Sequence, residues 1–125
     1  MKMMFDELSC IVIGRALEVH RSLGPGLLES AYEQCLAYEL ASAGIEFKQQ
    51  HPLPVTYKGV RLDCGYRMDF IVNDSLILEL KSVDSLQKTH EAQLLTYMKL
   101  AGVKIGLLVN FNVKILKDGI RRFVL

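Results

Sequence analysis

Two short apolar runs joined by Asn73-Asp74-Ser75 carry the residues best suited to chemistry: Asp69 in "MDFIV", then Glu79 and Lys81 in "LILELK". A carboxylate inside an apolar run is costly unless a partner compensates it. If the connection is a three-residue turn, Val72 pairs with Leu76, and counting outward sets Asp69 opposite Glu79. Alternation along the strand then puts Lys81 on the face of Glu79. A two-residue turn would shift the register and separate the charges. Directly opposed residues have Cβ atoms ~5 Å apart, and two carboxylates at that separation repel by ~3 kcal/mol at an effective dielectric of ~20. A hard divalent cation such as Mg²⁺ reverses the sign of that term, because it takes oxygen ligands and keeps several waters. Lys81 is then placed to touch a substrate phosphate or to orient an attacking water. The competing reading is an ion pair of Glu79 with Lys81 near a strand end, with Asp69 solvated. Leu76, Leu78 and Leu80 weigh against it, since they mark the other face as core and the strand as well buried.

The elements that must position these groups follow from periodicity. Leu8, Ile11, Val12, Ala16, Val19 and Leu23 have helical spacing, so residues 6 to 22 read as an amphipathic helix stopped by "LGPG". A second helix is expected from about residue 27 to 43, with Leu28, Tyr32, Cys35, Leu36 and Leu40 on one side and Gly44 at its C-terminal cap. Residues 46 to 66 are rich in β-formers, but Pro52 and Pro54 exclude a central strand and suggest an edge strand or hairpin. The charged hairpin occupies 67 to 72 and 76 to 83. A third helix spans about 89 to 101 and closes on Gly102, and "VKIGLLVNF" reads as a buried strand. In the tail, Asp118-Gly119 signals a tight hairpin. A strand–helix–strand crossover in this order joins parallel strands, so the sheet is expected to be mixed, with helices on its faces.

The composition narrows the function classes. The chain has 125 residues and net charge +1, which suits one domain over residues 1 to 125 and lacks the basic excess of a dedicated nucleic-acid binder. It has no run of 18 apolar residues and so no expected membrane span. "MKMMFDELSC" does not resemble a signal peptide. Cys10, Cys35 and Cys64 are odd in number and far apart, consistent with reduced thiols in the cytoplasm.

Asp69 followed by Glu79-Leu80-Lys81 resembles the signature of the PD-(D/E)XK nuclease superfamily, an Asp on one strand and an acidic-x-Lys on the next. "GLLESAY", Gly26 to Tyr32, resembles the GxxExxY pattern of one small bacterial and archaeal family in it. "EVHRSLGPGLLESAYEQCLAYEL", "LPVTYKG", "QLLTYMK" and "GLLVNF" are similar to that family's other stretches, over about residues 8 to 123. The resemblance implies an α/β, restriction-endonuclease-like αβββαβ core: a mixed central sheet flanked by helices, with an extra N-terminal helix and a C-terminal β-hairpin. It departs from the family at Asn112, where Gly is expected.

By the same resemblance Asp69 and Glu79 are the metal-binding carboxylates, and Glu29, at the start of the second helix, helps to hold the metal site. Lys81 is the catalytic lysine. Gln93 and Tyr97 resemble a Q-x-x-x-Y motif that lies beside the active site. Helical spacing groups them with His90, on a stripe opposite Leu94, Leu95, Met98 and Ala101. Lys114, Lys117, Arg121 and Arg122 are the best basic patch for phosphates. The expected activity is Mg²⁺- or Mn²⁺-dependent hydrolysis of phosphodiester bonds, with nucleic acid, DNA foremost, bound weakly by the chain alone. A homodimer or larger partner would complete the groove. The alternative is a catalytically silent nuclease-fold module for nucleic-acid binding or protein assembly.

Overall fold

The structure is a computed structural model and describes residues 6–125; most of the expected absence of a signal peptide concerns residues outside that range. Helix α1 (Glu7–Leu23) starts at Asp6, whose side chain accepts the Ser9 backbone N–H, and ends at Gly24. Helix α2 (Glu29–Ser42) follows the Gly24–Leu28 turn and ends before Gly44, whose φ of +72° is readily reached only without a Cβ. The prolines then split the next segment in two. Strand β1 (Phe47–Pro52) joins the main sheet, whereas β2 (Val55–Tyr57) and β3 (Val60–Leu62) form a separate hairpin. Strands β4 (Arg67–Val72) and β5 (Leu76–Lys81), helix α3 (Lys88–Ala101), strand β6 (Ile105–Asn110), a 3-10 turn and strand β7 (Ile120–Val124) complete the chain.

The five-stranded sheet has the order β1-β4-β5-β6-β7, with β5 and β6 parallel and all other neighbours antiparallel. It is the expected mixed sheet, with β1 at the edge, as Pro52 requires. The β4–β5 turn has the three-residue length: Val72 pairs with Leu76, and Asn73 and Asp74 both lie at φ +52°, a conformation that Asn and Asp tolerate. The C-terminal hairpin is β6 with β7. Asp118-Gly119 sits in the 3-10 turn before β7 rather than at a two-residue tip. A side chain at Gly119 would collide with the Asn110 carbonyl, so this glycine serves close packing.

Two cores sandwich the sheet. On one face Leu76, Leu78 and Leu80 of β5 and Phe70 and Val72 of β4 pack with Val12, Ala16, Tyr32, Leu36 and Leu40 of α1 and α2. On the other, Ile77 and Ile71 pack with Leu94, Tyr97 and Met98 of α3. Every β5 side chain from Leu76 to Leu80 is buried, as expected of a strand covered on both sides. Each buried Leu contributes roughly 1.5–3 kcal/mol, and this packing fixes the face on which Glu79 emerges. Glu79 aligns with Leu108, a member of the α3-side core, so it points toward α3.

Candidate active site

The β4–β5 ladder pairs Phe70 with Leu78, and the next residues outward are Asp69 and Glu79. There the side chains take over the backbone bonding. The Asp69 N–H donates to Glu79 Oε2 at 2.8 Å, and the Leu80 N–H donates to Asp69 Oδ2 at 2.8 Å. Each carboxylate is thus wedged between the strands and oriented by the main chain of the other strand. Glu79 is only 5 % exposed, while Asp69 and Lys81 are half-buried. Burial and then the nearby Asp69 charge push the Glu79 carboxyl up to about 8, against a smaller opposing pull from the Asp69 N–H and from Lys81. None of the ion pairs among the described residues joins Lys81 to Glu79.

Glu29 is the first residue of α2. Burial raises its pKa; the Lys81 ammonium opposes the rise, and the charges of Asp69 and Glu33 add to it. The Ser82 hydroxyl, just past β5, donates to the Leu27 carbonyl at 2.7 Å and ties the turn before α2 to the end of β5. Tyr32 braces the same turn. Its ring stacks on Phe111 at 4.4 Å, its hydroxyl donates to the Gly24 carbonyl at 2.6 Å, and the Leu27 N–H donates to it at 3.1 Å. The spacing of Gly26, Glu29 and Tyr32 therefore has a mechanical reason: a turn with Gly26 at φ +101°, a carboxylate facing the site, and a ring one helical turn later that clamps the turn shut. Tyr32→Phe keeps the stacking and loses both bonds of a buried hydroxyl, so thermal denaturation should show a loss of about 1–3 kcal/mol. An unchanged melting temperature would mean that the turn is held otherwise.

Other expectations need correction. Tyr97 lies on the side of α3 that carries His90 and Gln93, as expected, but that side is not opposite Leu94 and Met98: Tyr97 is 5 % exposed and belongs to the same core as both. Its hydroxyl accepts from the amide of exposed Gln93 at 3.0 Å, and its pKa is raised by burial, with the charge of Glu79 adding to the rise. His90 accepts the Gln87 N–H at 2.9 Å and so caps α3. The basic residues do not form one patch. Arg121 pairs with Leu108 and leans toward Glu91 on the α3 side, whereas Arg122 pairs with Leu107 and reaches Asp6 at 3.0 Å on the α1 side. Adjacent residues on a strand face opposite ways. Lys114 and Lys117 are exposed in the loop before β7. Asn112, where the resemblance led one to expect Gly, does not have a positive φ.

Sequence reasoning missed Gln50. It lies in β1 at φ +46°, and its amide donates to Glu33 at 2.9 Å and to Asp69 Oδ1 at 3.2 Å. Only the broken alternation of "KQQH" hinted at it.

The fold places the buried Glu79 and half-buried Asp69, the lysine two residues on and the α2 glutamate. A family model described as PD-(D/E)XK nuclease superfamily matches residues 6–123. The chain belongs to the PD-(D/E)XK nuclease superfamily. Searches of curated proteins and of solved structures return no match. Superfamily membership agrees with the three helices and mixed sheet, a restriction-endonuclease-like core. Its members typically use a divalent metal, and the donor chemistry here fits one: hard oxygen ligands, two of them mutually repelling, with Glu79 carrying the strain as a raised pKa. Among the described residues no three His, Cys, Asp or Glu side chains converge into a metal cluster. No described helix is long and apolar enough to cross a membrane.

Proposed function

We propose that this chain is a Mg²⁺- or Mn²⁺-dependent phosphodiesterase of the GxxExxY type that hydrolyses nucleic acid, DNA foremost. The observation that carries the reading is the reciprocal bonding of Asp69 and Glu79 to each other's strands, with a buried carboxyl held far above its ordinary pKa. Nothing in strand pairing requires such a pair, and a cation relieves it. Asp69 and Glu79 would be the protein ligands, waters would fill the remaining positions, and Glu29 would act through one of those waters from the end of α2. Bound there, the ion would supply an activated water and positive charge against the phosphate. Lys81 would orient the nucleophile and neutralise charge developing on the phosphate oxygens. Gln93 and Tyr97 border this site and would steady the substrate.

The divided basic residues favour help in binding, from a second copy or a larger partner, over tight binding by one chain. They also keep alive the second reading, a nuclease-fold module that binds or assembles without cutting. We place the chain in the reducing cytoplasm, a choice supported by its three unpaired cysteines. Calorimetric Mn²⁺ titration separates the readings. Wild type should bind the ion, Asp69→Ala should bind at least ~10-fold more weakly, and defined DNA or RNA should be cut only with metal present. Indifference of both proteins to Mn²⁺ would leave the silent module as the better account.

A further inference from the structure

An open cleft of about 680 Å³ lies between α3 and the β2–β3 hairpin, and Val55, Tyr66, His90, Gln93, Thr96 and Tyr97 are among its walls. We propose that this cleft receives one unstacked nucleobase of the strand whose phosphate lies at Asp69 and Glu79, so that the substrate is unpaired nucleic acid. The inference rests on the phosphodiesterase reading and adds its substrate class.

The cleft adjoins the carboxylates through Tyr97, which packs on the sheet face from which Glu79 emerges. Tyr66 and Tyr97 meet edge to face, with ring centroids 5.9 Å apart and planes at 61°, so they form an aromatic corner rather than a closed stack. Tyr66 remains 45 % exposed, so part of its ring is open to a ligand. Its backbone is pinned, because its carbonyl accepts the Leu53 N–H at 2.8 Å. Among the described residues no Lys or Arg lines the cleft, so they offer a phosphate no counter-charge there, whereas a flat, neutral ring with polar edges does find partners. The Tyr66 face offers stacking, Val55 and Leu100 offer apolar walls, and Gln93, Thr96 and Thr89 offer hydrogen-bonding edges. Base–aromatic stacking of this kind tolerates any sequence. Bases in a duplex are already stacked and paired, so insertion selects unpaired strands or demands that a base be turned out. Tyr66 is also a residue to which the sequence pattern gave no role.

The test uses the full chain in chelator at low salt and a single-stranded DNA hexamer with a central 2-aminopurine, read by its fluorescence. Wild type should bind and quench the probe. Tyr66→Ala should weaken binding about 10-fold, Tyr66→Phe should retain it, and a hexamer abasic at the central position, added as an unlabelled competitor, should bind wild type as weakly as the intact one binds Tyr66→Ala. Ala92→Trp, a substitution at an exposed wall position, should block the cleft without touching the core and repeat the loss. Equal binding of intact and abasic hexamers, or wild-type binding by both Tyr66→Ala and Ala92→Trp, overturns the base site. If metal-dependent cleavage persists in that case, the phosphodiesterase reading survives alone. Base-dependent binding without metal-dependent cleavage upholds the site and removes that reading.

Discussion

Lys81→Ala is expected to lower metal-dependent cleavage by ~10²–10³-fold, the usual cost of removing one group that stabilises transition-state charge, while Mn²⁺ binding stays intact. An ammonium group cannot ligate a cation, so its removal takes no ligand away and relieves a like charge. The strand should survive the truncation: the Lys81 carbonyl accepts the Phe111 N–H at 2.9 Å, and the β5–β6 register runs to Lys81 and Asn110 through the backbone alone. Asp69→Ala should lose both properties, since on the proposed reading Asp69 would supply a ligand oxygen, and it holds the Leu80 N–H. The pair of variants thus separates charge that holds the ion from charge that handles the phosphate. Calorimetry with Mn²⁺ and cleavage of labelled single- and double-stranded DNA and RNA provide the two readouts. Equal trace activity in wild type and Lys81→Ala would mark that activity as contamination and put the silent-module reading first.

How much of this was legible in the sequence depended on the range over which each signal acts. The register of Asp69 against Glu79 followed from local information alone: three turn residues, two of them tolerant of positive φ, between runs whose leucines declare one face. The α2 glutamate was legible only through the family pattern, because the bonds that deliver it, Ser82 to Leu27 and Tyr32 to Gly24, include one between segments 55 residues apart. Gln50 was hidden because an irregular backbone in an edge strand, not a residue type, turns its amide toward Asp69. Arg121 and Arg122 looked like one patch because adjacency in sequence was taken for adjacency in space, which a strand denies. Tyr97 looked like a rim residue because its spacing groups it with His90 and Gln93, but its ring is also long enough to join the core that holds Leu94 and Met98.

Glu79→Gln should make the metal-free protein more stable at pH 8, with a difference that fades toward pH 5. The folded-state pKa of Glu79 is raised from 4.5 to about 8. Between those values the folded state holds a proton that the unfolded state has released. Stability of wild type in chelator should therefore be fully present below about pH 4.5 and decline as pH rises toward 8. A shift of this size corresponds to a few kcal/mol, since each pKa unit is worth ~1.4 kcal/mol. Glutamine nearly keeps the volume, and its oxygen still accepts the Asp69 N–H that Glu79 accepts at 2.8 Å, but it has no charge to bury beside Asp69. Thermal denaturation in chelator across pH 5–8 should show the two melting temperatures diverging by several degrees as pH rises. Saturating Mn²⁺ at pH 8 should reverse the order, because wild type alone keeps both ligands and gains stability from the bound ion. Marked destabilisation of Glu79→Gln in chelator at pH 8 would instead mean that the carboxylate holds the sheet together as an anion, and the cation would lose its reason to be there.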